Sequence, residues 1–277
     1  MDSEGLHLNI SYVGSCGTVL SAEQSAALQT SLVILQNNYK FSRVFFWGKI
    51  MGIKGDYFIA QGCGNDEMVD RKTLYSLDCV TWGLLPQATQ AIRDQCSVVK
   101  GRFIGDPSHE YEHIEIQKLG EGEDATEEEN TIMIKEEDRL AAVIAKIDEE
   151  VAIVPRGAYA RNPNNLVCKN RSFEGLSVTE AGKLHNYFHF REAVRLNEKT
   201  LLEKADLDKS IDFLDAIHED IPRGGSWSLD FARGSGLVII RSLLWPGLSF
   251  YHVPSSTKFG YIYSGTGEQN KDLPFML

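Results

Sequence analysis

The chain has 277 residues, of which 43% are hydrophobic and 24% charged, so it is long and apolar enough to bury a large core without disulfide or metal staples. A net charge of −11 excludes the basic surface that nucleic-acid phosphates require. No run of about 18 uncharged apolar residues is present, which excludes a membrane-spanning helix. The acidic start MDSEGLHLNISYVG is no signal peptide, Asp2 takes the place of the glycine that myristoylation needs, and DLPFML is no prenylation box. The five cysteines (Cys16, Cys63, Cys79, Cys96 and Cys168) are odd in number and widely spaced, as expected of reduced thiols in the cytoplasm.

In chain order, Ser21 and Gln24 have capping-box spacing ahead of Leu28, Leu32 and Leu35, which predicts a helix. SRVFFWGKIMGI and DYFIAQG, separated by Lys54-Gly55, predict a hairpin. KTLYSLDCVTWGLLP reads as a third strand running to Pro86, and PQATQAIRDQC as a short helix with Pro86 near its start. YEHIEIQK reads as a strand. Leu119 to Asp138 then holds nine acids and one Lys, a net of −8 that leaves only −3 for the rest. This run reads as a flexible, solvated loop over 119–137, leading into a helix from Glu136 to Glu150 with Leu140, Val143, Ile144 and Ile147 as its apolar stripe. VAIVPRGAYARNPNN predicts a strand and a turn, Ser177 and Glu180 repeat the capping spacing, and DKSIDFLDAIHEDIP reads as a helix stopped by Pro222. SWSLDFA, GLVIIRSLLW, GLSFYHV and FGYIYSG predict four strands. Nine of the 27 aromatics lie from Trp227 onward, which favours antiparallel sheet there. The expected fold is α+β, a single domain over 1–277 with largely antiparallel sheet and helices packed on it.

Motifs for chemistry are sparse. His109-Glu-Tyr-Glu-His113 satisfies the His-Glu-x-x-His pattern, in which two imidazoles on one helical face hold zinc and Glu110 acts on the bound water. Its context, a turn before and Ile114-Glu115-Ile116 after, predicts a strand. There His109 and His113 would sit about 13 Å apart and could not share an ion. A zinc-dependent hydrolase is therefore the alternative function, not the leading one. His185 and His189 in HNYFHF, placed on a helix by their spacing, read as partly buried, hydrogen-bonded histidines. RGSGLV and SGTGE read as turns, since neither is a phosphate-binding loop, and no nucleophile elbow occurs. A third reading, a small-ligand module, needs a deep apolar cavity with converging polar groups. Of the aromatics Phe45, Phe46, Trp47, Trp227, Trp245, Phe250, Tyr251, Tyr261 and Tyr263, most are expected in the core. Trp47, Trp227, Trp245, Phe250, Tyr251, Tyr261 and Tyr263 are the candidates for a protein interface, and an exposed C-terminal sheet edge could accept a partner strand.

Several stretches together resemble the radial spoke head protein family: RVFFWGKIMGIKGDYFIAQG, RKTLYSLDCVTWGLLP, VVKGRFIGDPSHEYEH, VPRGAYARNP, LLEKADLDKSIDFLDAIHEDIPRGGSWSL, RSLLWPGLSFYHVP and YIYSGTGEQNKDLPFML. The resemblance implies a structural, non-enzymatic subunit of the radial spoke head in the axoneme of motile cilia and sperm flagella. The implied partners are radial spoke head proteins 1, 3, 4 and 6, with indirect contact to the central pair apparatus. It implies no catalytic residue, no cofactor, no metal, no nucleic acid and no membrane, and it leaves a homo-oligomer open.

Overall fold

Ser21 opens the first long helix as its spacing predicts. Its hydroxyl accepts the Gln24 N–H (3.1 Å), and Gln24 Oε1 accepts the Ser21 N–H (3.0 Å). The computed structural model describes every residue except 18–19, 120–125, 233, 235 and 277, with backbone alone for the rest of 115–130 and for 197. The helices are α1 (Leu6–Asn9), α2 (Ala22–Tyr39), α3 (Gln90–Cys96), α4 (Glu136–Val151), α5 (Val178–Ala181) and α6 (Leu201–Ala205). The first seven strands are β1 (Arg43–Ile50), β2 (Tyr57–Cys63), β3 (Arg71–Ser76), β4 (Gly83–Leu84), β5 (Glu110–Leu119), β6 (Thr126–Lys135) and β7 (Ile153–Pro155). The others are β8 (Tyr159–Arg161), β9 (Val167–Lys169), β10 (Tyr187–His189), β11 (Trp227–Ala232), β12 (Leu237–Ser242), β13 (Leu248–His252) and β14 (Phe259–Gly265).

Eight strands form one sheet in the order β11-β12-β13-β14-β1-β2-β3-β4. Every pairing in it is antiparallel except β1 with β14. The class is α+β with a largely antiparallel sheet, as expected. At the parallel join Gly48 pairs with Tyr263 at φ 139°, and a Cβ there would run into the Tyr263 carbonyl, so glycine is required. The β1–β2 register shifts between Phe46 and Gly48. Phe46 and Trp47 point to opposite faces by ordinary alternation and both are buried, and the bulge resets the alternation after them so that Ile50 joins Trp47 on one face.

The sheet has a helix on each face. One face, with Trp47, Ile50, Tyr57, Ile59, Phe250 and Tyr263, packs against Leu140, Ala141, Ile144, Ile147 and Val151 of α4. The other, with Val44, Phe46, Phe58, Ala60, Tyr251 and Ile262, packs against Leu28, Leu32 and Leu35 of α2. A third cluster, including Val154, Tyr159, Phe188, Phe190, Phe213 and Leu214, fills the space under β7 to β10.

Besides the HNYFHF segment, described below, four predicted elements differ. The third strand is broken in two, because Asp78 accepts the Val80 and Thr81 N–H groups (2.9 and 2.8 Å) and Cys79 turns at φ 63°. The chain thus reverses from β3 into β4. α3 starts after Thr89 rather than at Pro86, because the Thr89 hydroxyl takes the Ile92 N–H. The acidic run is not loop throughout: Thr126–Lys135 is a strand paired with Glu110–Leu119, and residues 120–125 lie outside the described residues. DKSIDFLDAIHEDIP is not a helix. Its Asp212 binds Arg156 through both oxygens (2.7 Å each), and its Asp215 accepts the N–H groups of Val194, Arg195 and Leu196. These distant partners hold the segment irregular while Phe213, Leu214, Ala216 and Ile217 are buried. The four C-terminal strands lie where the sequence puts them.

Candidate interaction surface

The candidate interface aromatics lie mainly inside the chain. Trp47, Trp227, Trp245, Phe250, Tyr251 and Tyr263 are buried and Tyr261 is half-buried. Three of the indoles act as straps. Trp47 Nε1 donates to Asp148 (2.7 Å) and Trp245 Nε1 to Glu150 (2.6 Å), so both tie the C-terminal turn of α4 to the sheet. Trp227 Nε1 donates to Asp220 (2.8 Å). The Tyr263 ring lies 5.1 Å from Trp47, and its hydroxyl accepts the Gly267 N–H (2.9 Å). Phe250 meets Tyr187 edge-on at 5.6 Å, and Tyr251 stacks on Tyr12 at 5.2 Å. The Tyr261 hydroxyl lies 3.4 Å from Arg71 Nη1. Most of these rings shape the chain's own core, and Tyr261 alone among them keeps part of its surface open.

The N-terminal turn of α4 is held by a second polar knot that the sequence analysis did not identify. Glu136 is fully buried. It accepts the Tyr57 hydroxyl (2.6 Å), the Tyr111 hydroxyl, and the N–H groups of Ile104 (2.8 Å), Gly105 (2.7 Å) and Asp106 (3.2 Å). Burial opposes its charge, but the bonds from Tyr111, Tyr57 and the backbone outweigh burial and hold its pKa below the ordinary carboxylate value. Arg139, one turn on, donates to Tyr111 (3.0 Å) and lies 4.3 Å from the Phe103 ring centroid. Tyr57 and Tyr111 face a carboxylate only because the strands place them there, and no local spacing announces it.

The geometry removes the structural basis of the zinc reading. Glu110 to His113 lie on β5, with the His109 ring edge-on to Tyr111 at 4.8 Å, so the helical face that would hold two imidazoles does not exist. Among the described residues, no group of three or more His, Cys, Asp or Glu is placed to hold a metal ion. Of the HNYFHF histidines, His189 is buried and bonds Asp220 through Nε2 (2.8 Å), as expected, whereas His185 is exposed. The segment is a single 3₁₀ turn and a short strand rather than a helix. Asp220 also takes Trp227 and Arg195 (3.3 Å) beside an open cavity of about 720 Å³. These polar groups bond one another rather than converge on a ligand, and His189 Nδ1 alone among them lacks a partner. All five cysteines are free. Burial pushes the thiols of Cys63, Cys79 and Cys96 up to about 11, so they are unreactive near neutral pH.

The surface carries the more informative pattern. β11 is one open edge of the large sheet, and the two-residue β4 is the other. Beside β4, the outer side of α2 exposes Val33 (53%) and Ile34 (53%), and the adjoining turn exposes Val80 (60%). On the β5–β6 hairpin, Ile114 and Met133 are exposed. Among the described residues, no helix is long and apolar enough to cross a membrane, so these groups do not belong to a transmembrane helix.

A family profile described as radial spokehead-like protein matches residues 3–133. Over its full length and theirs, the chain is 56% identical to the radial spoke head protein 9 homologues of Bos taurus and Homo sapiens. It is 51% identical over 278 aligned positions to that of Xenopus tropicalis. Identity of this order across both entire chains, with the profile match inside it, shows that the chain belongs to the radial spoke head protein 9 family.

Proposed function

We propose that this protein is a structural, non-catalytic subunit of the axonemal radial spoke head in motile cilia and sperm flagella. It is needed to assemble the head and to pass signals from the central pair to the dynein arms. The observation that carries this reading is the end-to-end identity with proteins named as radial spoke head protein 9 homologues. The architecture is consistent with it. A part that transmits force must resist shear between its layers, and here buried indole-to-carboxylate and tyrosine-to-carboxylate bonds fasten both ends of α4 to the sheet. Radial spoke head proteins 1, 3, 4 and 6 are the proposed partners, held through large, rather apolar contacts of about 2,000 Å² or more. The acidic run is proposed to face outward and adjust contact with the central apparatus through screened electrostatics.

The test is removal and rescue in a ciliated cell. Loss of this chain is expected to leave spokes without complete heads and beating impaired, both restored by the wild-type protein. Complete heads and normal beating in its absence would contradict the proposal.

A further inference from the structure

A cavity of about 290 Å³ beside β1 and β3 is walled largely by aromatic rings and holds a guanidinium that has no acid partner among the described residues. The guanidinium is that of Arg71, at the start of β3. Its carbon lies 4.8 Å from the Phe190 ring centroid and 6.0 Å from that of Phe45. Nη1 reaches Gln61 Oε1 and the Tyr261 hydroxyl (3.4 Å each), and Nε donates to the Glu67 carbonyl (2.6 Å). Phe45, Gln61, Phe190 and Tyr261 all line the cavity, as Arg71 does. Nη2 bonds nothing among the described residues, yet it is not one of the enclosed polar atoms, so it is reachable from the space its neighbours surround. The acids nearby are already engaged. Asp2 and Glu67 pair with Arg43, and Asp148 accepts the Trp47 indole and the Gln61 amide. An arginine drawn away from bulk water ordinarily has such a partner.

The charges around the cavity favour an anion. Four cations (Arg43, Arg71, Lys169 and Lys258) and two acids (Asp2 and Glu4) line it, a net of +2 in a chain that carries −11. Lys169 and Lys258 are exposed and pair with no acid among the described residues, so they form a basic rim that attracts anions. Inside, only the N–H groups of Arg71 Nη2 are free, which suits a single carboxylate rather than a multiply charged phosphate. The remaining wall includes Tyr159 and Phe259, which suit a flat apolar body, and the volume is at the small end of ligand cavities. We propose that this cavity binds a carboxylate carried on a small, aromatic or otherwise apolar body. The carboxylate pairs with Arg71, and the body lies against Tyr159, Phe259 and Tyr261. A free small acid supplies this chemistry, and so does an acidic side chain or chain end of a neighbouring protein. The inference goes beyond the spoke-head reading and does not depend on it.

The test is ligand-observed NMR on the full chain with 3-phenylpropionate and its amide as probes. The acid is expected to bind with a Kd of about 1 mM, and the amide, similar in shape but uncharged, about tenfold more weakly or worse. Arg71→Met keeps most of the side-chain bulk and is expected to weaken the acid about tenfold or more, whereas Lys54→Met, outside the cavity, leaves it unchanged. The comparison of acid with amide needs the wild type alone, so a folding defect in the variant does not obscure it. Equal binding of the two probes, no saturable binding of the acid below about 10 mM, or unchanged affinity in folded Arg71→Met overturns the proposal. These outcomes hold whether or not the chain joins a spoke head. Repeating the acid titration on assembled heads identifies the source. Binding retained there supports a free acid. Exclusion of the probe, with weaker joining of Arg71→Met to the head, supports a neighbour's carboxylate. Exclusion with undiminished joining leaves the cavity closed in the working assembly and overturns the proposal.

Discussion

The two long helices cover opposite faces of one sheet and are built on different principles. α4 places eight charged side chains in 16 residues, keeps its apolar stripe to one side, and fastens both ends through buried hydrogen bonds. Its remaining flank is closed by α3, where Arg93 takes both oxygens of Glu149 (2.6 and 2.8 Å). α2 holds one charge in 18 residues, and its exposed side carries Val33 and Ile34 among uncharged polar residues such as Gln29, Thr30, Asn37 and Asn38. The contrast teaches that the first face is fastened within the chain by buried polar bonds, whereas the second leaves apolar side chains such as Val33 and Ile34 exposed.

The sharpest way to break the comparison is at the α4 anchor. Glu136→Ala leaves the Tyr57 hydroxyl and three backbone N–H groups without their acceptor, and is expected to cost about 3 kcal/mol or more of stability. Urea unfolding measures it, and a loss under about 1 kcal/mol means the knot is not what holds α4. Trp47→Phe and Trp245→Phe keep a ring but remove the donors to Asp148 and Glu150, and each is expected to cost about 1–2 kcal/mol on the same assay.

Acid should act on the anchored face and on His252. Burial lowers the His252 pKa to about 4 against an ordinary 6.5, despite its bond to the Lys258 carbonyl. The unfolded chain therefore takes up this proton first. Stability is intact above about pH 6.5 and falls as pH drops toward 4, by at most about 1.4 kcal/mol per pH unit from this group. Glu136, also depressed, adds its loss only below its ordinary value of 4.5. Denaturant titrations at successive pH values should show the slope, and His252→Gln should flatten it between pH 6.5 and 5.

The exterior of α2 should respond far less. Ile34→Gln is expected to change the stability of the isolated chain by no more than about 0.5 kcal/mol. A large drop in melting temperature would mean that this exterior serves the fold of the monomer. Smallest of all, deleting residues 120–125 is expected to alter beat waveform and leave head assembly intact. Loss of assembly would show that the acidic run is structural.

Much of this contrast was legible in the sequence. The Ser21–Gln24 capping box, the α4 stripe and the four C-terminal strands depend on local pattern, and local pattern located them. Three of the failures share one cause. At Asp78 and Asp215 a carboxylate takes backbone N–H groups, at Asp212 a carboxylate takes the Arg156 guanidinium, and at Thr89 a hydroxyl displaces the start expected at Pro86. Hydrophobic periodicity does not register such bonds. The interface was the least legible part. Trp and Tyr dominate both cores and interfaces, so type alone pointed to rings such as Trp47 and Tyr263 that the fold buries.

The most direct test of the account is amide hydrogen exchange of the chain alone and in the assembled spoke head. The account predicts that new protection on assembly falls on exposed surface while the buried face of α4, already secured, changes little. Marked slowing of α4 on assembly, with no new protection at the surface, would contradict it.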